Sequence, residues 1–203
     1  MLTLAPTLTP PGGRPGGTVL VAFASAHGTT REIAERIASR LHLRGIGTVL
    51  ADVAAEPLTS VAAHDRVVVA APVRGDHHHP AMVAWLQLRA RELAGRDVSL
   101  VSVSLSAASG DAWAGRTARY VETLAAETGV RPDRVLQVGG ALRYRSATVA
   151  TRLRMKRVAA VRHLDTDASR DHGYTDWDAV DGLVGLLARA VHGGAGAALR
   201  LAG

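Results

Sequence analysis

The chain has 203 residues, 47% hydrophobic and 21% charged, which suits one globular domain with a real core and excludes a disordered polymer or two full domains with a linker. It holds no cysteine, so disulfides, thiolate catalysis, iron–sulfur clusters and cysteine-ligated zinc are excluded together. The net charge is +6, and the excess sits in one segment: Arg143, Arg145, Arg152, Arg154, Lys156, Arg157 and Arg162 follow one another with no acid among them.

Such a block suits an anionic small molecule, an anionic membrane surface or nucleic acid. Aromatic residues are only 3%, which leaves little for base stacking, and no nucleic-acid partner is expected. The plain alternative is a solvated basic helix. No apolar run approaches the roughly 20 residues of a membrane span, and no cation precedes Arg14, so neither a span nor a secretory signal is expected and the compartment is read as the cytoplasm.

Residues 1–17 carry four prolines and four glycines and read as a flexible tail, as does the Gly- and Ala-rich stretch 193–203. The domain is expected over 18–192. Its first apolar run, 18–23, is followed by a helical pattern over 30–44, with Gly45 placed as a left-handed stop. A strand over 48–52 and a second continuously apolar strand over 66–71 come next, then a helix over 80–93. The pattern closes with a strand over 98–105, a helix over 115–127, a strand over 134–138 and a helix over 176–191. Continuous apolar strands are buried on both faces. Their alternation with helices predicts an α/β fold with a doubly wound, five-stranded parallel sheet, and ligands in such folds sit at the carboxyl ends of the strands. The spacing Thr29-Thr30-Arg31-Glu32 predicts a capping box, Glu32 reaching back to the Thr29 amide, and Thr175-Asp176-Trp177-Asp178 repeats it at the last helix. Trp85 and Trp177 are read as core residues.

The first strand runs into Ser25-Ala26-His27-Gly28-Thr29-Thr30 and then a helix. A helix start there offers free amides and the positive end of the dipole. Gly28 permits close approach, the Ser25, Thr29 and Thr30 hydroxyls can donate to oxyanions, and His27 adds a donor if a dianion raises its pKa. No Gly-x-x-x-x-Gly-Lys-Ser/Thr occurs, and no Gly-x-Gly-x-x-Gly follows a strand, which leaves a mononucleotide phosphate such as that of FMN, or simply a capped helix.

Ser25-x-x-Gly28-x-Thr30 is similar to the flavodoxin phosphate loop. Arg74 followed by His77 and His79, Ser102-Val103-Ser104-Leu105, Gly140-Ala141-Leu142-Arg143-Tyr144, Asp165-Thr166-Asp167 and Tyr174-Thr175-Asp176-Trp177 resemble the flavodoxin-like, menaquinone-dependent protoporphyrinogen oxidases. The resemblance covers about 18–192. It implies strand order 2-1-3-4-5 with a basic insertion before the last helix, FMN as cofactor, oxidation of protoporphyrinogen IX in haem synthesis, and a quinone as electron acceptor. The substrate is then an anion drawn to a cationic surface, and 143–162 is a candidate for peripheral contact with the inner face of the membrane. The cofactor site carries over to Ser25, Ala26, His27, Gly28, Thr29 and Thr30, to Pro72, Val73, Arg74 and Gly75, and to Ser104 and Leu105. Arg74 would stabilise an anionic reduced ring or meet a propionate, and His77 or His79 would act as general base.

Gly75 stands where the family has a stacking aromatic, and His78 replaces a second one. Trp113, in the loop after Leu105, is the expected substitute cover for the ring. Asp76 adds a negative charge that opposes a reduced anionic flavin. The run His77-His78-His79 invites a metal reading, but adjacent histidines diverge in a loop and no metal site is expected. The competing readings are a flavodoxin-type electron carrier, for which a net +6 is ill suited, a quinone or nitro reductase, and a flavodoxin-like module without catalysis.

Overall fold

A computed structural model describes the backbone of Thr7–Leu8 and of residues 18–201, and the side chains of residues 18–192. The other residues of the two expected tails lie outside the described residues. Within them, Thr7–Leu8 (β1) pairs antiparallel with Val49 and Thr48 at a sheet edge. The last helix, α5 (Trp177–Leu201), also carries its backbone past Gly193.

The elements follow in the order β2 (Val19–Phe23), α1 (Thr29–His42), β3 (Thr48–Asp52), β4 (Arg66–Arg74), β5 (His77–His78) and α2 (Pro80–Leu93). Then come β6 (Asp97–Ser104), α3 (Ala114–Thr128), β7 (Arg134–Gly139), β8 (Ala141–Leu142), α4 (Val149–Val161), β9 (His172–Gly173) and α5. The five parallel strands lie in the order β3-β2-β4-β6-β7, which is the expected 2-1-3-4-5 arrangement. Val19 pairs with both Thr48 and Arg66, Arg66 with Asp97, and Ser99 with Arg134.

Alternation along the central strands explains their unbroken hydrophobicity. Val19, Val21 and Phe23 join Ile33, Ile37 and Leu41 of α1 and Val180, Val184 and Leu187 of α5 in one core. Leu20, Ala22 and Ala24 face the other way, into a second core with Met82, Trp85 and Leu86 of α2 and Leu124 of α3. Trp85 is buried as expected, its indole N–H donating to the Thr59 carbonyl at 3.0 Å. Trp177 is not: it lies at the surface, 36% exposed, with the Arg36 guanidinium 5.1 Å from its ring. The reason is local, since Arg36 reaches over α5 to grip Asp181 through two hydrogen bonds of 3.0 and 2.7 Å, and the tryptophan covers that arginine.

A third, smaller core stands apart from the sheet. Leu142, Tyr144 and Ala159 are buried together and packed by Leu105, Met155, Leu164, Ala168 and Tyr174. The Tyr144 hydroxyl donates to the Asp165 carbonyl (3.0 Å), and the Tyr174 hydroxyl accepts from the Asp165 amide (3.0 Å). The basic segment is therefore neither a loose insertion nor a free helix. It folds into a cover on the carboxyl side of the sheet.

Candidate functional site

A cavity of about 960 Å³ opens where β2, β4, β6 and β7 end, roofed by α4. Its walls are built in sequence order. The loop after β2 supplies Ser25, Ala26, His27, Thr29 and Thr30; the end of β4 supplies Pro72, Val73, Arg74, Gly75 and Asp76; the end of β6 supplies Ser104, Leu105 and Ser106. Every expected cofactor residue therefore lines this one cavity, except Gly28, which sets the backbone of the loop beneath it, and Trp113.

The floor at α1 differs from the expectation. The residue at the start of the helix is Gly28, at φ +92°, and no side chain caps the first turn. Glu32 does not reach back to Thr29, because its carboxylate is taken by Arg143 at 2.7 Å. The Ser25 hydroxyl instead accepts from the Gly28 amide at 3.1 Å, tightening the loop. The amino end of α1 is thus left to the cavity, with Thr30 buried beside it, and the helix dipole favours an anion there. His27 is held below its ordinary pKa by loss of surrounding water, and further by the nearby Arg74 and Arg143 guanidinium groups. The shift favours the neutral imidazole.

The strand β4 turns back on itself. Val73 pairs with His78 and Arg74 with His77, so Gly75 and Asp76 are the two central residues of a tight hairpin, at φ +56° and +71°. Two consecutive positive φ values define the twist-compatible turn that glycine and aspartate favour. This accounts for Gly75: the place of the family's aromatic is given over to a turn. The Asp76 carboxylate is bound by Arg116 of α3, with contacts of 2.7 and 2.9 Å from one guanidinium nitrogen, so its charge is answered and does not bear alone on the cavity.

The hairpin also disperses the histidines. His77 points away to Glu127 at 2.7 Å. His79 caps α2, its ring nitrogen accepting from the Ala81 amide at 3.3 Å. Neither is brought to the cavity beside Arg74. His78 is buried against the Ser102 hydroxyl at 3.0 Å, and burial lowers its pKa to about 4. Trp113 sits in a short turn (Asp111–Trp113) after β6, with the guanidinium groups of Arg162 and Arg116 at 4.8 and 5.6 Å from its ring. It is a support for those two cavity-lining arginines and does not line the cavity itself.

Residues that sequence reasoning missed come from α3 and α4. Tyr120 shares its hydroxyl with Ser106 (2.9 Å) and Arg116 (3.0 Å) at one wall. Thr151, Arg154, Met155, Val158 and Arg162 form the roof. Their spacing of three, four, seven and eleven residues is one stripe of a helix. The signal was present, but a stripe mixing arginine with methionine and valine is invisible to a search for apolar periodicity. The stretches Gly140–Tyr144 and Tyr174–Trp177, far apart in sequence, prove to be partners. Thr175 donates to the Gly139 carbonyl at 3.0 Å and the Tyr174 amide donates to the Gly140 carbonyl at 3.0 Å. Asp176, rather than Thr175, then caps α5 through the Ala179 amide at 2.9 Å.

An α/β sheet of this order, with a phosphate-type loop after its first parallel strand and a roofed cavity at the strand ends, defines a flavodoxin-like protein. The flavodoxin domain matches residues 20–169, and the chain belongs to that family. Within it the chain groups with the flavodoxin-like protoporphyrinogen oxidases. It is 31% identical over 161 residues to protoporphyrinogen IX dehydrogenase [quinone] of Escherichia coli K12, spanning 79% of this chain and 89% of that one. The O157:H7 protein of the same name matches equally. Among solved structures, rubredoxin oxygen:oxidoreductase from the anaerobe Desulfovibrio gigas superposes with a TM-score of 0.53 at 14% identity, covering 87% of this chain and 36% of that one. That likeness bears on the fold. Family and fold point to a flavin as the cofactor. Among the described residues, no helix is long and apolar enough to cross a membrane.

Proposed function

We propose that this protein oxidises protoporphyrinogen IX, or a similar tetrapyrrole, with FMN as cofactor and a quinone as electron acceptor. The observation that carries the reading is the side-chain-free amino end of α1, set under Gly28 and opening into a roofed cavity at the strand ends. The donor set fits a phosphate monoester: backbone amides, three hydroxyls and a neutral imidazole, with no carboxylate among them. Hydride removal from the tetrapyrrole and electron delivery to the quinone are the chemistry that FMN supplies when bound.

The chain's own residues do the rest. Ser25, Thr29, Thr30 and the amides behind Gly28 hold the phosphate, and His27 gains a proton as the dianion arrives. Pro72, Val73, Gly75, Ser104 and Leu105 shape the slot for the ring. Arg74 ends β4 at the rim of the cavity, where a cation favours an anionic reduced cofactor. The roof helix excludes water. Its outer side supports the quinone assignment: Val149, Leu153 and Val161 are 82, 62 and 67% exposed, and Lys156 and Arg157 stand among them, a pattern that suits an anionic leaflet in which a quinone dissolves.

The test is an absorbance spectrum of the purified protein, an FMN titration, and then turnover of protoporphyrinogen IX with a menaquinone analogue. A flavin-loaded protein that oxidises the porphyrinogen at a rate dependent on quinone is the expected result. A flavin-loaded protein that leaves porphyrinogen untouched would be an electron carrier. A protein that cannot be loaded would be a scaffold.

A further inference from the structure

Arg31, Arg36, Arg66, Arg89, Arg116 and Arg143 each meet a carboxylate. Three arginines that line the cavity do not. Among the described residues, Arg74, Arg154 and Arg162 make no side-chain hydrogen bond or ion pair. The Arg162 Nε is buried without a partner, and its guanidinium is held 4.8 Å from the Trp113 ring, an arrangement that fixes the plane of the group while leaving its N–H donors unused. The acids that might have served them are committed, Asp76 to Arg116 and Glu32 to Arg143. A partly enclosed cavity focuses the field of such unanswered charges on whatever enters.

One phosphate at the start of α1 does not use these groups. Arg154 lies on α4 and Arg162 immediately follows its last residue, and both line the roof of the cavity. Two unanswered cations from separate positions of the roof suit two carboxylates on flexible arms. The cavity, at about 960 Å³, lies at the top of the roughly 300–1,000 Å³ range of small-molecule sites, with room for more than one occupant.

We infer that Arg154 on the inner face of α4 and Arg162 just past its end form a second anion subsite, which grips the carboxylates of the molecule to be oxidised and holds it beneath the roof. Arg74 faces them from the sheet side. The assignment rests on the flavin reading above for the name of its ligand and deepens it: the roof reads substrate, the floor reads cofactor. Met155 and Val158 between the two cations supply an apolar surface for a flat ring system.

The experiment uses the full chain, with and without FMN, titrated with protoporphyrin IX and with its dimethyl ester, followed by porphyrin fluorescence. The wild type should bind the diacid at least about tenfold more tightly than the diester, and Arg154→Gln and Arg162→Gln should each lose about tenfold for the diacid and little for the diester. FMN affinity should stay within twofold of wild type in both variants. Arg154 is exposed and unpaired, so its variant keeps the fold, and circular dichroism verifies this for both. Equal binding of diacid and diester by the wild type, or unchanged diacid affinity in both variants, overturns the subsite. Failure to bind FMN while the diacid preference persists overturns the flavin reading and leaves the subsite standing.

Discussion

Gly139 ends β7 directly beneath the segment that returns from the cover. A Cβ built there would lie 2.3 Å from the Tyr174 carbonyl oxygen and 2.9 Å from both its carbonyl carbon and its Cβ. Those are backbone and near-backbone atoms, so no side-chain rotation relieves the overlap. Gly139→Ala therefore forces Tyr174 away and takes with it two hydrogen bonds, Thr175 to the Gly139 carbonyl and the Tyr174 amide to the Gly140 carbonyl, both 3.0 Å. At about 1 kcal/mol each, with about 1–3 kcal/mol for overpacking, the loss should be about 3–5 kcal/mol. Urea denaturation of wild type and variant measures it. Gly182, in α5, is the control: nothing lies within 4 Å of its added Cβ, and Gly182→Ala should stabilise by about 0.5–1 kcal/mol. A Gly139→Ala protein within 0.5 kcal/mol of wild type, an estimate well below the hydrogen-bond loss alone, would refute the claim that the two motifs are locked together by close backbone contact.

The other expectations are simpler. Thr30→Ala should weaken FMN binding by about 1–2 kcal/mol, the size of a hydrogen bond to a charged group. Gly28→Val should abolish most binding through backbone strain, since φ is +92° while the nearest atom to an added Cβ, Glu32 Oε1, is at an ordinary 3.9 Å; flavin fluorescence titration reports both. Tyr144→Phe should cost about 1 kcal/mol, the net worth of its hydroxyl bond to the Asp165 carbonyl, seen as a shifted denaturation midpoint. His78 has a folded pKa of about 4 against an ordinary 6.5, so the unfolded chain binds the extra proton first. Stability should be full above pH 6.5 and fall by about 3 kcal/mol towards pH 4. A His78→Gln protein should lack that part of the acid sensitivity, and identical pH profiles for the two would show the imidazole does not titrate as argued.

How much of this was legible in the sequence depends on which physical signal each part leaves. Val19 to Phe23 announce a strand buried on both sides because every residue is apolar, and a parallel sheet follows once such strands alternate with helices; its order was legible only through the resemblance to the flavodoxin family. The loop from Ser25 to Thr30 was legible as an anion site, but its wiring was not. Glu32 had the spacing of a cap, and only the fold brings Arg143, 111 residues away, to claim it. His77 and His79 lie close to Arg74 in sequence, and the two-residue turn at Gly75 and Asp76 reverses the chain between them. Gly-Asp before a short strand is a hairpin signal, overshadowed here by the histidines. The roof stripe escaped because it alternates arginine with methionine and valine, so no apolar period marks it.

The cover carries its own nucleus in Leu142, Tyr144 and Ala159, shared with neither of the two cores that flank the sheet. Enclosure and scaffold thus have different hydrophobic nuclei, joined at the Gly139–Tyr174 contact and the Arg143–Glu32 ion pair. Opening along the Arg143–Glu32 and Arg162–Trp113 contacts would expose the cover and leave the two sheet cores closed. Amide exchange in 143–173 would then run ahead of the rest of the molecule.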